Sequence, residues 1–212
     1  MGERTTRHLS PGLALVSLAL AVAAITVGAA VIGPYPLTLN DIGAALLRRI
    51  SGLADPAYEQ VDTVLFSVRL PRVGAALLVG AALSAAGAVY QGLFRNPLVS
   101  PDILGVSTGA GLGAAAGIFL SLPVIAIQGL AFAAGLATVA LVYAVATAVR
   151  GHEPTLVLVL AGVVIGALAG ACISLLKILA DPYDQLPAIT FWLLGSLASV
   201  RPEDIWTSLP MV

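Results

Sequence analysis

Two runs of twenty-one residues, Val73–Leu93 and Ile103–Pro123, carry no charged side chain. A helix needs roughly 20 such residues to cross the hydrocarbon core of a bilayer. Between the runs lies Phe94-Arg-Asn-Pro-Leu-Val-Ser-Pro-Asp102, whose Pro97, Pro101, Arg95 and Asp102 interrupt helical continuity. The spacing therefore predicts a helical hairpin in a membrane. The proline-broken turn lies at one face, and Arg69 and Arg72 lie at the other.

Composition agrees with a membrane-embedded chain. Only 10% of the 212 residues are charged, and 59% are hydrophobic, far from the usage of soluble domains. A formal net charge of −1, with no interleaved basic and aromatic residues, gives nucleic acid nothing to hold. The single Cys172 cannot form an internal disulfide and reads as a small packing residue.

Pro11–Gly33 is an uncharged segment of twenty-three residues, longer than the apolar core of a secretory signal. It is expected to be a first membrane helix. Arg4 and Arg7 precede it and no basic residue follows until Arg48, which places the N-terminus in the cytoplasm. Tyr35–Asp62 is then a polar interval on the far side. Within it, Leu37–Ile50 is expected as a short interfacial helix whose Arg48 and Arg49 lie at a solvated end or, as the alternative reading, bind anionic headgroups. Further spans are expected over Val124–Val149 and Thr155–Ala180, the second with Lys177 snorkelling near its outer end.

Gly109, Gly113 and Gly117 recur every four residues, as do Gly162, Gly166 and Gly170. Stripes of this kind let another helix backbone approach closely. Leu186–Val200, at fifteen residues, is short for a crossing and is expected as a half-helix at the outer rim, closed by Gly195-Ser and by Arg201-Pro-Glu-Asp204. Ile205–Val212 is expected to begin a further span. The expected architecture is all-α: a polytopic transmembrane bundle of about five complete spans, a short outer half-helix and a partial sixth span, forming one domain over residues 1–212.

This topology puts Arg4, Arg7, Arg95 and Arg150 inside, and Arg48, Arg49, Arg69, Arg72, Lys177 and Arg201 outside. External arginines at a helix mouth then need a reason. The residues leave two readings open: bidentate pairing with carboxylates of an acidic partner, or snorkelling toward headgroups.

No catalytic constellation is present. His8 and His152 sit in polar flanks without ligands at metal-binding spacing, so neither a metal site nor a cofactor is expected. The spans lack the Asp or Glu that couples many secondary carriers to an ion gradient. The one lysine, Lys177, follows Leu176 instead of glycine, so a phosphate-binding P-loop cannot form. ATP hydrolysis, if used, belongs to another polypeptide.

Arg69-Leu-Pro-Arg72, the run Gly80–Ala114 with its Asn96-Pro-Leu-x-x-Pro-Asp-x-Leu-Gly105 core, Leu160-Ala-Gly-Val-Val-Ile-Gly166 and Phe191-Trp-Leu-Leu-Gly-Ser196 resemble the permease subunits of type II ABC importers for iron-siderophore, haem and cobalamin chelates. The resemblance implies a homodimeric permease in the bacterial inner membrane, served by cytoplasmic ABC ATPases and by a periplasmic or lipoprotein substrate-binding protein. It implies docking of that protein at Arg69 and Arg72. Asn96, Leu98, Thr155 and Leu156 would form a cytoplasmic gate, and Phe191, Trp192 and Gly195 would belong to an outer gate helix. Family members commonly carry a second inverted half, so the chain is expected to represent the N-terminal portion of a longer fold. An ion-coupled carrier and a non-transporting membrane scaffold are the competing classes.

Overall fold

The computed structural model describes residues 10–52, 55–149 and 153–208. Arg4, Arg7, His8, Arg150, His152 and the end of the expected partial span lie outside the described residues. All regular structure among the described residues is helical. The chain divides into two compact units, one formed by residues up to Val79 and from Leu197 onward, the other by Gly80–Ser196.

In the first unit, α1 spans Pro11–Val31. Ser10 caps its first turn, Pro11 occupies the position where a missing N–H costs nothing, and only Ala30 is buried. A helix so apolar on every side is suited to lipid. α2, Leu39–Ser51, is amphipathic. Thr38 and Asp41 form a reciprocal capping box at its start, and Gly52 closes it at φ 67°. Its buried Ala45 packs with Leu37 and Leu65.

Helical structure then runs without a break from Pro56 to Phe94. It passes through a 3-10 turn at Pro56–Tyr58, α3 at Glu59–Asp62, a π-helical stretch at Thr63–Arg69 and α4 at Leu70–Phe94. In the π stretch the Leu70 N–H reaches back five residues to the Leu65 carbonyl. Pro71 has no N–H to donate, so the wider turn falls where the ordinary helical ladder is already interrupted.

The second unit begins in the later part of α4, where the Tyr90 and Phe94 rings stack nearly parallel with centroids 6.2 Å apart. α4 ends in a turn with Arg95 at φ 48° and Asn96 N–H bonded to the Gln91 carbonyl, and Pro97 prevents continuation. After a 3-10 turn at Pro101–Leu104 come α5 at Val106–Phe119, α6 at Val124–Ala148, α7 at Pro154–Leu179 and α8 at Gln185–Leu194.

Among the described residues, four helical segments are long and apolar enough to cross a membrane: those of α1, Pro56–Phe94, α6 and α7. The fifth expected crossing, Ile103–Pro123, is shorter than its charge-free run suggests. Gly105 at φ 70° separates the 3-10 turn from α5, and Ser121 at φ 53° with Pro123 ends it. The fourteen residues of α5 rise about 21 Å at 1.5 Å per residue, short of a 30 Å hydrocarbon core. α5 is instead the buried centre of its unit, packed most extensively on α6 and also on α7 and α8. α5 turns its glycine face to α6.

The C-terminal segment bears out the expected stop at Gly195-Ser and corrects the role of Arg201-Pro-Glu-Asp204. α8 stops at Gly195, whose φ of 71° ends the helix well before Val200. Arg201-Pro-Glu-Asp204 does not close α8; it opens α9, Pro202–Ser208. There the Arg201 N–H donates to Asp204 Oδ2 at 2.8 Å.

Candidate functional site

Among the described residues of the first unit, Arg69 is the most deeply buried cation. The π stretch carries it inward until the residue is only 8% exposed. Its Nη1 donates to the carbonyls of Ala30 at 2.6 Å and Val31 at 2.7 Å, and its Nη2 donates to the Tyr35 carbonyl. The last carbonyls of a helix have no intrahelical donors and carry partial negative charge, so the guanidinium completes the end of α1. Gly33 makes room for it: a Cβ there would lie 2.7 Å from Nη2. Its Nη1 and Nη2 donors are thus turned to these carbonyls. Arg72 is half-buried, and its Nη2 donates to the Ala198 carbonyl at 2.6 Å.

The arginines of α2 are likewise engaged rather than simply solvated. Arg48 pairs with Asp62 at 2.7 Å and lies 4.4 Å from the Tyr58 ring centroid, while Arg49 lies 5.4 Å from that of Phe66. The hydrogen bond from Arg48 to Asp62 holds the guanidinium protonated above its ordinary value. At the other end of α2, the backbone N–H of Thr38, and then its hydroxyl, donate to the Asp41 carboxylate and hold its pKa below the ordinary 3.8.

The second unit is held by the near absence of side chains. Along α5, Gly109 faces Thr138 and the Ala134 carbonyl, Gly113 faces the Leu130 carbonyl and Ala134 Cβ, and Gly117 faces Ile127. On the opposing side, a Cβ at Gly162 of α7 would collide with the Ile103 carbonyl and come within 2.9 Å of the Leu104 Cα. A Cβ at Gly166 would meet Gly105 at 3.5 Å, and Gly170 lies near Thr108. Both expected glycine stripes therefore serve one seam, with the segment from Ile103 to Gly117 between α6 and α7.

The expected gate residues lie in the turn after α4 and in the first turn of α7. In the turn after α4, Asn96 Oδ1 accepts the Leu98 N–H at 3.0 Å, and Leu98 itself is 89% exposed. Asp102 Oδ1 accepts the Ser107 N–H at 3.2 Å, tying the turn to α5. Thr155 and Leu156 are exposed in the first turn of α7. Leu156 lines an apolar groove of about 420 Å³ between α6 and α7. Phe94, Ile103 and Leu158 pack around Leu104, Val142 and Ala161.

In α8, Ile189 is fully buried against Ala115 and Ile173, whereas Phe191 and Trp192 are exposed. Gln185, which belongs to no motif in the sequence, donates through Nε2 to the Phe119 carbonyl at 2.9 Å and so completes the end of α5. Among the described residues no group of His, Cys, Asp and Glu could hold a metal ion.

Comparison with known proteins places this arrangement. The model of the FecCD transport family matches residues 13–212. The molybdate import system permease protein MolB of Haemophilus influenzae is 38% identical over 192 residues, covering 90% of this chain and 55% of that protein. The cobalamin import system permease protein BtuC of Halobacterium salinarum is 36% identical, covering all of this chain and 65% of the relative. The Fe(3+)-citrate import system permease protein YfmE of Bacillus subtilis is also 36% identical, over 97% of this chain and 59% of its own. The chain thus spans a little over half to about two thirds of the length of these relatives. A solved metal-chelate type ABC transporter in an inward-facing conformation superposes with a TM-score of 0.76 at 33% identity, over 93% of this chain and 57% of that one.

Proposed function

Because the chain belongs to the FecCD transport family, we propose that it forms part of the membrane-spanning permease of an ATP-driven importer for a metal-bearing chelate. The observation that carries this reading is the family match across nearly the whole chain, supported by its likeness to a metal-chelate transporter. Iron-siderophore, haem and cobalamin chelates are the substrate class, with the molybdate importer among the relatives extending it to a metal oxyanion. The permease dimerises, takes its energy from a separate cytoplasmic ABC ATPase and receives substrate from an extracytoplasmic binding protein. Its N-terminus lies in the cytoplasm.

Alternating access needs helices that move as rods between two packings. A seam of glycines against backbone supplies a smooth, side-chain-poor contact along which such rods can pivot. The turn at Asn96–Leu98 with Thr155 and Leu156 forms the inner gate, and α8 with Phe191, Trp192 and Gly195 forms the outer one.

The test is reconstitution of the full chain in liposomes with its ATPase partner. The proposal expects copurification with the ATPase and chelate uptake that requires ATP. Uptake that follows an ion gradient without ATP would instead assign a secondary carrier, and partner binding without any flux would assign a scaffold.

A further inference from the structure

α8 lies along α5 in a four-residue register. Gln185 Nε2 donates to the Phe119 carbonyl at 2.9 Å, Ile189 is buried against Ala115, and a Cβ at Gly111 would come within 3.0 Å of Leu193 Cδ2. Steps of four residues along α8 thus match steps of four, in the opposite direction, along α5, which is how the ridges of two antiparallel helices interlock. Ala115 and Gly111 let the helices approach closely, yet neither offers a side chain large enough to stop a slide. The apolar part of the contact holds α8 on α5 without fixing where it sits.

The polar part fixes the place. Near the end of α5 the carbonyls of Ala116, Gly117 and Ile118 are taken by the N–H groups of Leu120, Leu122 and Ser121, and the Phe119 carbonyl receives the Gln185 amide. The same Nε2 lies 3.4 Å from Ser121 Oγ, and Oε1 accepts the Asp181 N–H at 3.2 Å. Both ends of the amide are therefore engaged, one at the end of α5 and one in the turn that delivers α8 from α7. No side chain caps the start of α8 itself, so this amide serves the neighbouring helix. We propose that Gln185 is a positioning residue that sets the register of α8 on α5, so that the two helices move as one body and Phe191 and Trp192 follow α5. Because α5 lies between α6 and α7 in the glycine seam, a shift within the seam reaches α8 through this bond. The consequence for transport rests on the proposed reading of α8 as the outer gate; the register itself does not.

The test uses the full chain in liposomes, carrying Cys172→Ala and spin labels at Leu120→Cys and Leu194→Cys, two exposed positions near opposite ends of the contact. The distance between the labels reads the register without ATP or substrate. With Gln185 present, a single narrow distribution is expected. Gln185→Leu removes a bond whose typical worth changes a two-state ratio about fivefold. It should add a second population displaced by up to about 6 Å, the rise of about four helical residues. Gln185→Glu isolates the donor: ionised at about pH 8, its carboxylate has no proton for the Phe119 carbonyl, and the second population should appear. At about pH 4 the side chain regains a proton, and the narrow distribution should return. Ser174→Ala, which removes a hydroxyl bonded to the Gly170 carbonyl of its own helix, should match wild type at both pH values. In proteoliposomes with the ATPase and the binding protein, Gln185→Leu should lower uptake per ATP hydrolysed while hydrolysis continues. A wild-type distribution in Gln185→Leu, or the same second population at both pH values in Gln185→Glu, would overturn the register role. Distances as expected in a wild type without ATP-driven uptake would instead sink the transport reading and leave the register standing.

Discussion

The clasp around Arg69 and the seam along α5 solve the same problem with opposite materials. Lipid tails are as apolar as leucine, so helices in a bilayer are held by close packing and by interhelical hydrogen bonds, with little hydrophobic drive between them. In the first unit one guanidinium reaches three carbonyls at and just beyond the end of α1, and an ion pair links α2 to α3. In the second unit, glycines bring backbone against backbone along α5, α6 and α7. The first contact is strong, directional and dependent on one side chain. The second is distributed and fails by intrusion. Their sensitivities should therefore differ in kind.

The largest expected effect is at the clasp. Arg69→Met leaves the carbonyls of Ala30, Val31 and Tyr35 without their donor, and each unsatisfied buried group costs about 1–3 kcal/mol. Unfolding in detergent should show a loss larger than that of Gly113→Ala or Gln185→Leu, and Arg69→Lys should restore only part of it, because an ammonium lacks the planar fork. At the seam, Gly113→Ala drives a methyl into the Leu130 carbonyl and is expected to cost about 1–3 kcal/mol. Gly129→Ala on α6, where a Cβ meets nothing within 4 Å, is the matched control and should be neutral or slightly stabilising. Equal effects at the two positions would remove the case for the seam.

Gln185→Leu sharpens the comparison further, because it deletes a polar bond from a unit otherwise held by shape. The Phe119 carbonyl loses its side-chain donor, and a loss of about 1 kcal/mol is expected in the same unfolding assay. The smallest effect is pH-dependent. The Asp41 carboxylate is held below its ordinary 3.8 by Thr38, so its contribution to the start of α2 is fully present above that value and is lost as pH falls through the depressed folded value. Protection of the amides at residues 39–44, corrected for the intrinsic pH dependence of exchange, should fall on acidification in wild type more than in Asp41→Asn.

How much of this is legible in the sequence follows from the same contrast. The four-residue spacing of Gly109, Gly113 and Gly117 announces a packing face, because periodicity maps directly onto one side of a helix. The expected helix within Leu186–Gly195 likewise appears as α8. The clasp is not legible: Arg69 and Arg72 look alike in Arg-Leu-Pro-Arg, and only a π stretch ahead of Pro71 carries the first of them inward. The nearest sequence signal is Gly33, a glycine at the end of a span where no turn requires it. Span lengths mislead at α5, because a charge-free run records solubility in lipid, whereas Gly105 and Ser121 set the helix ends through backbone conformation. Gln185 gives no signal, since capping a carbonyl 66 residues earlier in the chain has no local pattern.

The most direct measurement is peptide-resolved hydrogen exchange of the full chain in detergent, comparing wild type, Arg69→Met and Gly113→Ala. Two independently held regions predict that Arg69→Met speeds exchange around residues 28–36 and 63–72 and leaves 106–138 as in wild type, while Gly113→Ala does the reverse. If either substitution loosens both regions to the same degree, one common network holds the molecule and the distinction between clasp and seam is wrong.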